Sequence, residues 1–579
     1  MKTQITLLAL AVLAAGCSKD SIYDNPWGGG EQQQSSSDPQ SSGVTGPTTL
    51  DFTTDEEDLM ANTSFGLTVS VVFSESGKAT VSGTQGQAVT IDGNKVTIDN
   101  RNVVDSNGKG YKVKYELSGS TSNGYFKVYS DNKQALVLNG VSITNPSGAA
   151  INNQGKKRCF VVVNGENRLA DGASYTQTPA DEDEKAAFFS EGQLIFSGSG
   201  SLTVSAQGKA GITSDDYLLF LDAPSVKVNA SAGHGLRGKD YIRVDGGTLE
   251  ASVSAAGKKG MSSDSLVVFN GGMTTLQVSG GTVYDSEDKD YTAAAGVRAD
   301  QVFIMNAGTL NVTSSGQGGK GISCDGPAYF QGGTVTLTVT GGNHSEKSAK
   351  GVKIDGAIYI SDGELTAKVS NHEAIESKSR IEISGGTVYA QSKDDAINSA
   401  GILAVTGGQV CAYSTGNDGL DANGNCFIEG GVVYAVGSGS PEVAVDANSE
   451  GGYRLYVNGG VLFTLGGLES GAVLSQSCYQ ASWNRNTWYS LTADGTTYAF
   501  QTPSSGGTSL VVSATSEPEV KSGVSVSGGT VIFNGMAVLD GSVSGGSTVS
   551  LSTYSGGTGM GGPGSGPGGG PGGPGGGRP

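Results

Sequence analysis

Residues 381–435 read IEISGGTVYAQSKDDAINSAGILAVTGGQVCAYSTGNDGLDANGNCFIEGGVVYA. Apolar residues alternate before each Gly-Gly pair, and a second short apolar stretch follows each pair. Such alternation predicts strands that bury one face. A third strand is predicted where a small residue precedes an isolated apolar one, as at Ile397 and Leu420. The stretch therefore predicts three short strands per repeat, joined by glycine turns.

The same unit recurs along most of the chain, at a usual interval of 22–25 residues. The apolar position of the third strand falls at Phe188, Ile212, Leu236, Met261, Val297, Ile322, Val352, Ile375, Ile397, Leu420 and Val445. Three strands in that length fit one coil of a parallel β-helix, whose equivalent strands pair between coils at ~4.8 Å. We therefore predict an all-β protein, a right-handed single-stranded parallel β-helix with capping segments at both ends. A leucine-rich repeat and a propeller do not match the pattern.

The composition excludes several classes of function. The net charge of −19 argues against a nucleic-acid partner, which needs a basic face. Only three histidines are present, which disfavours histidine acid/base chemistry and a His-rich zinc site. The six cysteines lack CxxC spacing, so neither a zinc site nor a disulfide scaffold is indicated. Cys324 and Cys426 fall at inward positions and are expected to fill the core.

The N-terminus predicts a lipid anchor. An apolar run, residues 5–15, is too short to span a bilayer and fits a signal-peptide core. It ends in Leu-Ala-Ala-Gly-Cys, which resembles the lipobox of bacterial lipoproteins and predicts lipidation of Cys17. Ser18 after the cysteine implies, by the rules of such lipoproteins, attachment to the outer membrane, exposed at the cell surface. A plain secretory signal is the alternative. The predicted organisation is a lipoprotein signal peptide (1–17), a flexible tether (18–50), an N-terminal β cap (51–130), the parallel β-helix (131–465), a C-terminal β segment (466–545) and a disordered Gly/Pro-rich tail (546–579).

Outward positions of the third strand form two predicted columns that begin basic and turn acidic at about Glu373. The basic set is Arg237, Lys259, Arg298, Lys320, Lys350 and Lys353. Arginine and lysine bind carboxylates, so these residues are candidates to bind an acidic sugar chain. The acidic set is Glu373, Glu376, Asp394, Asp395, Asn398, Asp418 and Asp421. Oxygen ligands from adjacent coils suit Ca²⁺, which takes six to eight of them. A solvated charged face is the alternative.

Several stretches resemble a known family. They are Gln134–Ile143 (QALVLNGVSI), Gly148–Asn152 (GAAIN), Lys209–Asp216 (KAGITSDD), Gly233–Asp240 (GHGLRGKD) and Asp394–Asn398 (DDAIN). The pattern resembles the calcium-dependent carbohydrate-binding β-helix domain family of bacterial surface lipoproteins, one relative of which binds polygalacturonate and is shaped like pectate lyases. The resemblance covers roughly residues 60–545 and is clearest over 130–465. It implies a β-helix, bound Ca²⁺ and a pectic or other polysaccharide ligand.

Together, these patterns predict a monomer that binds acidic polysaccharide with Ca²⁺ and has no catalytic residues. One alternative is a polysaccharide lyase that uses a lysine or arginine of the basic column as its base. A hydrolase with clustered aspartates is a second alternative, and a structural or adhesive surface protein is a third. The acidic loop 181–184 is predicted to be either a cation site or a solvated loop. The aromatic segment around Trp483 and Trp488 is expected to form a capping core.

Overall fold

The structure, a computed structural model, describes residues 54–176, 179–222, 224–493 and 495–556. Cys17, the tether and the tail beyond residue 556 lie outside these ranges. The described residues contain strands and three 3₁₀ turns, Glu56–Asp58, Met60–Asn62 and Phe533–Gly535. The predicted all-β class is confirmed. No helix within the described ranges has the length and apolar character needed to cross a membrane.

Most strands stack in three ladders, in which each strand pairs in parallel with its equivalent one repeat later. Ladder 1 contains Leu67–Phe73, Val113–Thr121, Gln134–Asn145, Cys159–Asn164, Leu194–Gly198, Tyr217–Phe220, Tyr241–Val244, Leu266–Val278, Val302–Ser314, Ala328–Val339, Ile358–Val369, Ile381–Ile383, Leu403–Val405, Cys426–Ile428, Leu455–Val457 and Val473–Leu474. Ladder 2 contains Glu166–Asp171, Ser201–Ala206, Ser225–Ala230, Thr248–Val253, Thr387–Ser392, Gln409–Ser414, Val432–Val436 and Val461–Leu465, together with the second halves of the long ladder 1 strands. Ladder 3 contains Asn94–Asp99, Gly124–Tyr129, Ile151–Asn153, Ala186–Ser190, Ala210–Ser214, Leu236–Gly238, Lys259–Ser263, Ala295–Ala299, Lys320–Cys324, Lys350–Ile354, Ile375–Ser377, Ile397–Ser399 and Leu420–Ala422.

The Gly-Gly pairs make the bend between ladders 1 and 2. The second glycine of each pair has a positive φ, for example 72° at Gly386, 75° at Gly408 and 72° at Gly431. A Cβ at Gly408 would lie 2.6 Å from the carbonyl oxygen of Gly385 in the preceding coil. Glycine is therefore required both by the conformation and by the close stacking of coils.

One continuous core runs through the stack. All eleven predicted apolar positions of the third strand, from Phe188 to Val445, are buried in it. Cys324 and Cys426 also lie in this core, as predicted. The stacked side chains remove apolar surface from water in every coil, which stabilises the fold at about 25 cal/mol per Å².

The C-terminal segment forms an antiparallel sheet that covers the outer face of ladder 2 in the last coils. Its strands are Trp488–Ala493, Thr496–Gln501, Glu519–Ser527, Thr530–Ile532, Ala537–Leu539 and Ser542–Thr548. Outward residues Tyr389, Cys411, Tyr434 and Phe463 pack against this sheet in a second core that includes Tyr489. The aromatic segment therefore has the predicted core role, but it covers a side of the stack.

Both ends of the stack differ from the predicted boundaries. Parallel pairing begins with Leu67–Phe73 against Val113–Thr121, inside the segment predicted as an N-terminal cap. Strand Thr80–Ser82 and strand Ala88–Asp92 add antiparallel pairs there. At the other end, Ser552–Tyr554 pairs with Cys478–Ala481, and Cys478–Ala481 also pairs with Leu510–Ser513. The segment from residue 546 to 556 is thus structured, which corrects the predicted start of the disordered tail.

Candidate functional site

The outer face of ladder 3 aligns the predicted columns in the predicted register. One column contains Arg237, Ser262, Arg298, Ser323, Lys353, Glu376, Asn398 and Asp421 on successive coils. A neighbouring column contains Lys259, Ala295, Lys320 and Lys350. We call the part from Arg237 to Lys353 the basic segment. The part from His372 to Glu469 is the acidic segment.

Most cations of the basic segment are paired with the protein's own carboxylates. Arg237 Nη2 lies 3.0 Å from a carboxylate oxygen of Asp264. Arg298 Nε lies 2.8 Å from Asp300, and its Nη2 contacts Asp325. Lys353 is paired in the same way with Asp355. These contacts come from turns that follow ladder 3, and they leave the guanidinium and ammonium groups already compensated.

Lys259 and Lys320 differ, because no carboxylate of the described residues lies within ion-pair distance of either amine. Lys259 Nζ donates to the Gly257 carbonyl at 2.7 Å and to Thr292 Oγ1 at 2.9 Å. Lys320 Nζ donates to the Gly318 carbonyl at 3.0 Å and to that of Ser348. Burial and neighbouring cations lower the pKa of Lys259 to about 8 and that of Lys320 to about 7.

The sign of the face changes at a buried ion-pair cluster. Lys350 Nζ lies 2.5 Å from a carboxylate oxygen of Glu376 and 3.2 Å from one of Glu373. The other carboxylate oxygen of Glu376 contacts Lys378. Glu376 is 1% exposed, so this charge is held entirely by its partners. Glu376 was predicted as a metal ligand, and the structure gives it two lysine partners.

His372, Glu373 and Asp394 form a group that can hold a metal ion, with ligand atoms all within 4.8 Å of one another. His372 Nδ1 contacts Glu373 and lies 3.2 Å from Asp394 Oδ2. Glu373 Oε2, the oxygen that contacts His372, is also the one that lies 3.2 Å from Lys350 Nζ. Burial, with the charge of Lys350, lowers the pKa of His372 and favours the neutral imidazole that binds metals. His372 was not predicted as a ligand, although it directly precedes Glu373.

Beyond this group, carboxylates of consecutive coils converge. Asn398 Nδ2 donates to Asp395 Oδ2 at 3.0 Å and to Asp421 Oδ2 at 2.5 Å. The backbone N–H of Asp418 donates to Asp395 Oδ1 at 3.1 Å, and that of Val443 donates to Asp418 Oδ1 at 2.6 Å. The predicted residues Asp395, Asn398, Asp418 and Asp421 are therefore brought together.

The column continues into residues that the predicted site did not include. Isolated bridges align Val445 with Leu420 and Leu468 with Val445, so Asp446 and Glu469 follow Asp421. No lysine or arginine of the described residues forms an ion pair with Asp395, Asp418, Asp421 or Asp446. Burial and neighbouring carboxylates raise the pKa of Asp418 to about 8 and that of Asp421 to about 7. Burial, with hydrogen bonding to Glu469, raises the pKa of Asp446 to about 9.

The acidic loop at residues 181–184 is compensated instead. Glu182 contacts Lys127 and accepts a hydrogen bond from Tyr129 Oη at 2.5 Å. Lys185 Nζ lies 2.8 Å from Asp183 and 2.6 Å from Asp215. Asp183 also belongs, with Glu191 and Asp215, to a group whose ligand atoms lie within 4.8 Å of one another, so the predicted cation site at this loop stays a prediction.

The match to a family of carbohydrate-binding domains supports a carbohydrate ligand. The sequence profile of the family described as carbohydrate-binding domain-containing proteins matches residues 92–396, more than half of the chain. A solved polysaccharide lyase-like protein from C. thermocellum, studied as a gadolinium derivative, is 20% identical with a TM-score of 0.37. That match covers 47% of this chain and 96% of the other. No curated protein matches the chain. The chain belongs to the family of carbohydrate-binding domain-containing proteins.

Proposed function

We propose that the chain binds an acidic polysaccharide, such as polygalacturonate or a similar pectic chain, through Ca²⁺ held on the acidic segment. The observation that carries this proposal is that Asp395, Asp418, Asp421 and Asp446 lie on consecutive coils, the first and third bridged by Asn398, without a lysine or arginine partner among the described residues. Buried like charges are costly unless a counter-ion or a shared proton compensates them.

The donor set fits calcium. Ca²⁺ takes six to eight oxygen ligands, and the acidic segment offers carboxylate oxygens from adjacent coils with an amide oxygen at Asn398. A uronate carboxylate would complete the coordination shell. Because coils repeat at ~4.8 Å, an extended sugar chain can lie along the face and present successive carboxylates to it. Lys259 and Lys320, which lack protein carboxylate partners, would bind further carboxylates of the same chain.

The proposal also covers the winding of the fold, the oligomeric state and the attachment to the membrane. We propose that the three ladders wind as a right-handed parallel β-helix and that the protein acts as a monomer. A lipid at Cys17, outside the described residues, would attach it to the outer membrane with the binding face exposed at the cell surface.

The first test is affinity electrophoresis of the full chain through gels that contain polygalacturonate, with Ca²⁺ or with a chelator. We expect retardation in Ca²⁺ and free migration in the chelator. Asp421→Asn should migrate freely in both gels, while Asp264→Asn, which alters a carboxylate paired with Arg237, is the matched control and should be retarded. Retardation that is the same in Ca²⁺ and in chelator, or the same in the wild type and in Asp421→Asn, would contradict the proposal.

A polysaccharide lyase is the second candidate. The observation that favours it is Lys320, whose lowered pKa of about 7 suits a general base and which pairs in register with Lys350 beside the His372 group. Ultraviolet absorbance of unsaturated product, followed in the same samples, separates the two functions. Product that disappears in Lys320→Met would establish the lyase, and its absence alongside calcium-dependent retardation would establish a binder.

A further inference from the structure

The outer face of ladder 2 carries a groove that the charged face does not explain. The groove has a volume of about 640 Å³, and all of its lining residues are uncharged. Its floor is a column of one residue per coil, Ser205, Asn229, Ser252, Gln277 and Thr313. Hydroxyl and amide groups alternate along this column, and none of these five side chains has a hydrogen-bond partner among the described residues.

A smaller cavity of about 180 Å³ extends the groove towards the N-terminus. It shares Ser205 with the larger groove and adds Thr144, which is two coils earlier in the same column. The column therefore crosses seven coils. At ~4.8 Å per coil, it is long enough for an extended chain of several sugars.

An aromatic hairpin lies in the turn between ladders 2 and 3, and its Thr292 accepts a hydrogen bond from Lys259 of ladder 3. The hairpin, Val283–Asp285 and Asp290–Thr292, begins shortly after the groove residue Ser279. Tyr284 is 52% exposed, and its ring centroid lies 5.2 Å from that of Tyr291. The ring of Tyr291 lies a further 5.2 Å from His344. Rigid exposed tyrosine rings are good stacking partners because they are apolar on the face and polar at the tip.

Contacts with neighbouring coils fix the hairpin in place. The Gly257 N–H donates to the Gly281 carbonyl at 2.8 Å, and the Thr282 N–H donates to the Gln317 carbonyl at 2.9 Å. Lys347 forms an ion pair with Asp290 at 3.2 Å. The aromatic surface is thus preorganised, so a ligand would lose little entropy on ordering it.

We propose that this groove, with the hairpin in the turn beyond it, forms a second glycan site, which takes a neutral polysaccharide chain in an extended conformation. The larger groove has no cation to compensate a uronate, and Arg168 of the smaller cavity lies 3.5 Å from a carboxylate oxygen of Glu166. Unpaired hydroxyls and amides bind sugar hydroxyls. The hairpin tip reinforces this choice, because the carboxylates of Asp285, Glu287 and Asp288 accept hydroxyl hydrogen bonds and repel an acidic chain. The site does not depend on Ca²⁺ or on the acidic segment.

Titration calorimetry of the full chain with cellohexaose and mannohexaose in chelator tests this site. We expect saturable binding of at least one probe. Gln277→Trp and Asn229→Trp place a large ring at exposed groove positions and should abolish binding. Tyr284→Ala should weaken it roughly five- to tenfold. Matched controls at exposed residues elsewhere are Val531→Trp and Tyr453→Ala, which should bind normally.

Polygalacturonate retardation is measured on the same variants, so the two sites can be separated. The groove variants should keep calcium-dependent retardation, and Asp421→Asn should keep hexasaccharide binding. The groove site would be overturned if neither probe binds, or if binding is unchanged by Gln277→Trp and Asn229→Trp. Either result would leave the proposed binding of acidic polysaccharide unaffected. Loss of hexasaccharide binding in Asp421→Asn would also overturn it, because a single site would then serve both ligands.

Discussion

The basic and acidic segments of the ladder 3 face have the same strand register but compensate their charges differently. In the basic segment, Arg237, Arg298 and Lys353 each meet a protein carboxylate from a following turn. In the acidic segment, Asp395, Asp418 and Asp421 contact an amide, backbone N–H groups and one another. A cation that is paired with a protein carboxylate stabilises the fold. A buried carboxylate without a lysine or arginine partner needs a bound proton or a bound cation to compensate its charge. This difference is the reason for proposing the calcium site in the acidic segment.

The largest expected effect lies where the two segments meet. Lys350→Met leaves Glu373 without a lysine partner and Glu376 with only Lys378. Removal of one partner from a buried ion pair costs about 3–5 kcal/mol, so the free energy of unfolding should fall by that amount. Urea unfolding followed by circular dichroism measures it. The double variant Lys350→Met/Glu376→Gln should recover part of the loss, and an undiminished loss would show that the charges do not interact.

The acidic segment should control the affinity for acidic polysaccharide. Asp418→Asn keeps the acceptor for the Val443 N–H but removes a charge, so polygalacturonate affinity in Ca²⁺ should fall at least tenfold, about 1.4 kcal/mol. Fluorescence polarisation with labelled oligogalacturonate measures the affinity. Asp264→Asn in the basic segment is the control. An equal loss of affinity in that variant would contradict the claim that the acidic segment controls binding.

The two segments should also differ in the pH dependence of stability. The native pKa values of Asp418, Asp421 and Asp446, about 8, 7 and 9, lie above an unfolded value of ~3.9. Between these limits the native state binds more protons than the unfolded state, so the free energy of unfolding of the metal-free chain falls as pH rises from ~4 to ~9.

Thermal unfolding across this pH range, in chelator and in Ca²⁺, tests that dependence. Asp421→Asn removes one carboxyl group with a raised pKa. The fall in the free energy of unfolding should then be smaller by about 1.4 kcal/mol for each unit by which the native pKa of Asp421 exceeds its unfolded value, and Ca²⁺ should oppose the fall above pH ~7. A metal-free chain whose stability is flat over this range would show that these carboxylates do not share protons.

The smallest effect is expected at the exposed end of the basic segment. Arg237 and Asp264 are both partly solvated, so Arg237→Ala should cost less than about 1 kcal/mol of stability. Its affinity for oligogalacturonate should stay within about twofold of the wild type, because the pair is already satisfied within the fold. A tenfold loss would mean that Arg237 leaves Asp264 to bind the ligand.

The period-two alternation and the glycine turns were sufficient to predict the ladders and their register. Residues such as Ile397 and Leu420 can face only inward, because a shift of one residue would expose the whole strand. The same repeat spacing predicts that Asp421 lies beside Asn398, and the two residues are paired in the structure. The repeat could not predict the partner of each charge, since Asp264 and Asp325 lie on turns whose direction depends on the stacked coils.

Other features depend on tertiary packing in the same way. Tyr389 and Tyr434 point outward from ladder 2, and the sheet that covers them comes from a distant segment with no repeat to indicate its position. His372 occupies the same repeat position as the predicted ligand Asp394, but only oxygen ligands were considered there. Glu469 enters the acidic column only through the isolated bridge between Val445 and Leu468. The groove on ladder 2 is made of serines, threonines and amides that are typical of any exposed strand, so only its shape distinguishes it.

Calorimetric titration of the metal-free full chain with Ca²⁺ tests the central claim most directly. Saturable binding is expected in the wild type and in Asp264→Asn, and at least tenfold weaker binding in Asp421→Asn. Binding that is absent from the wild type, or equally strong in all three proteins, would contradict the assignment of calcium to the acidic segment.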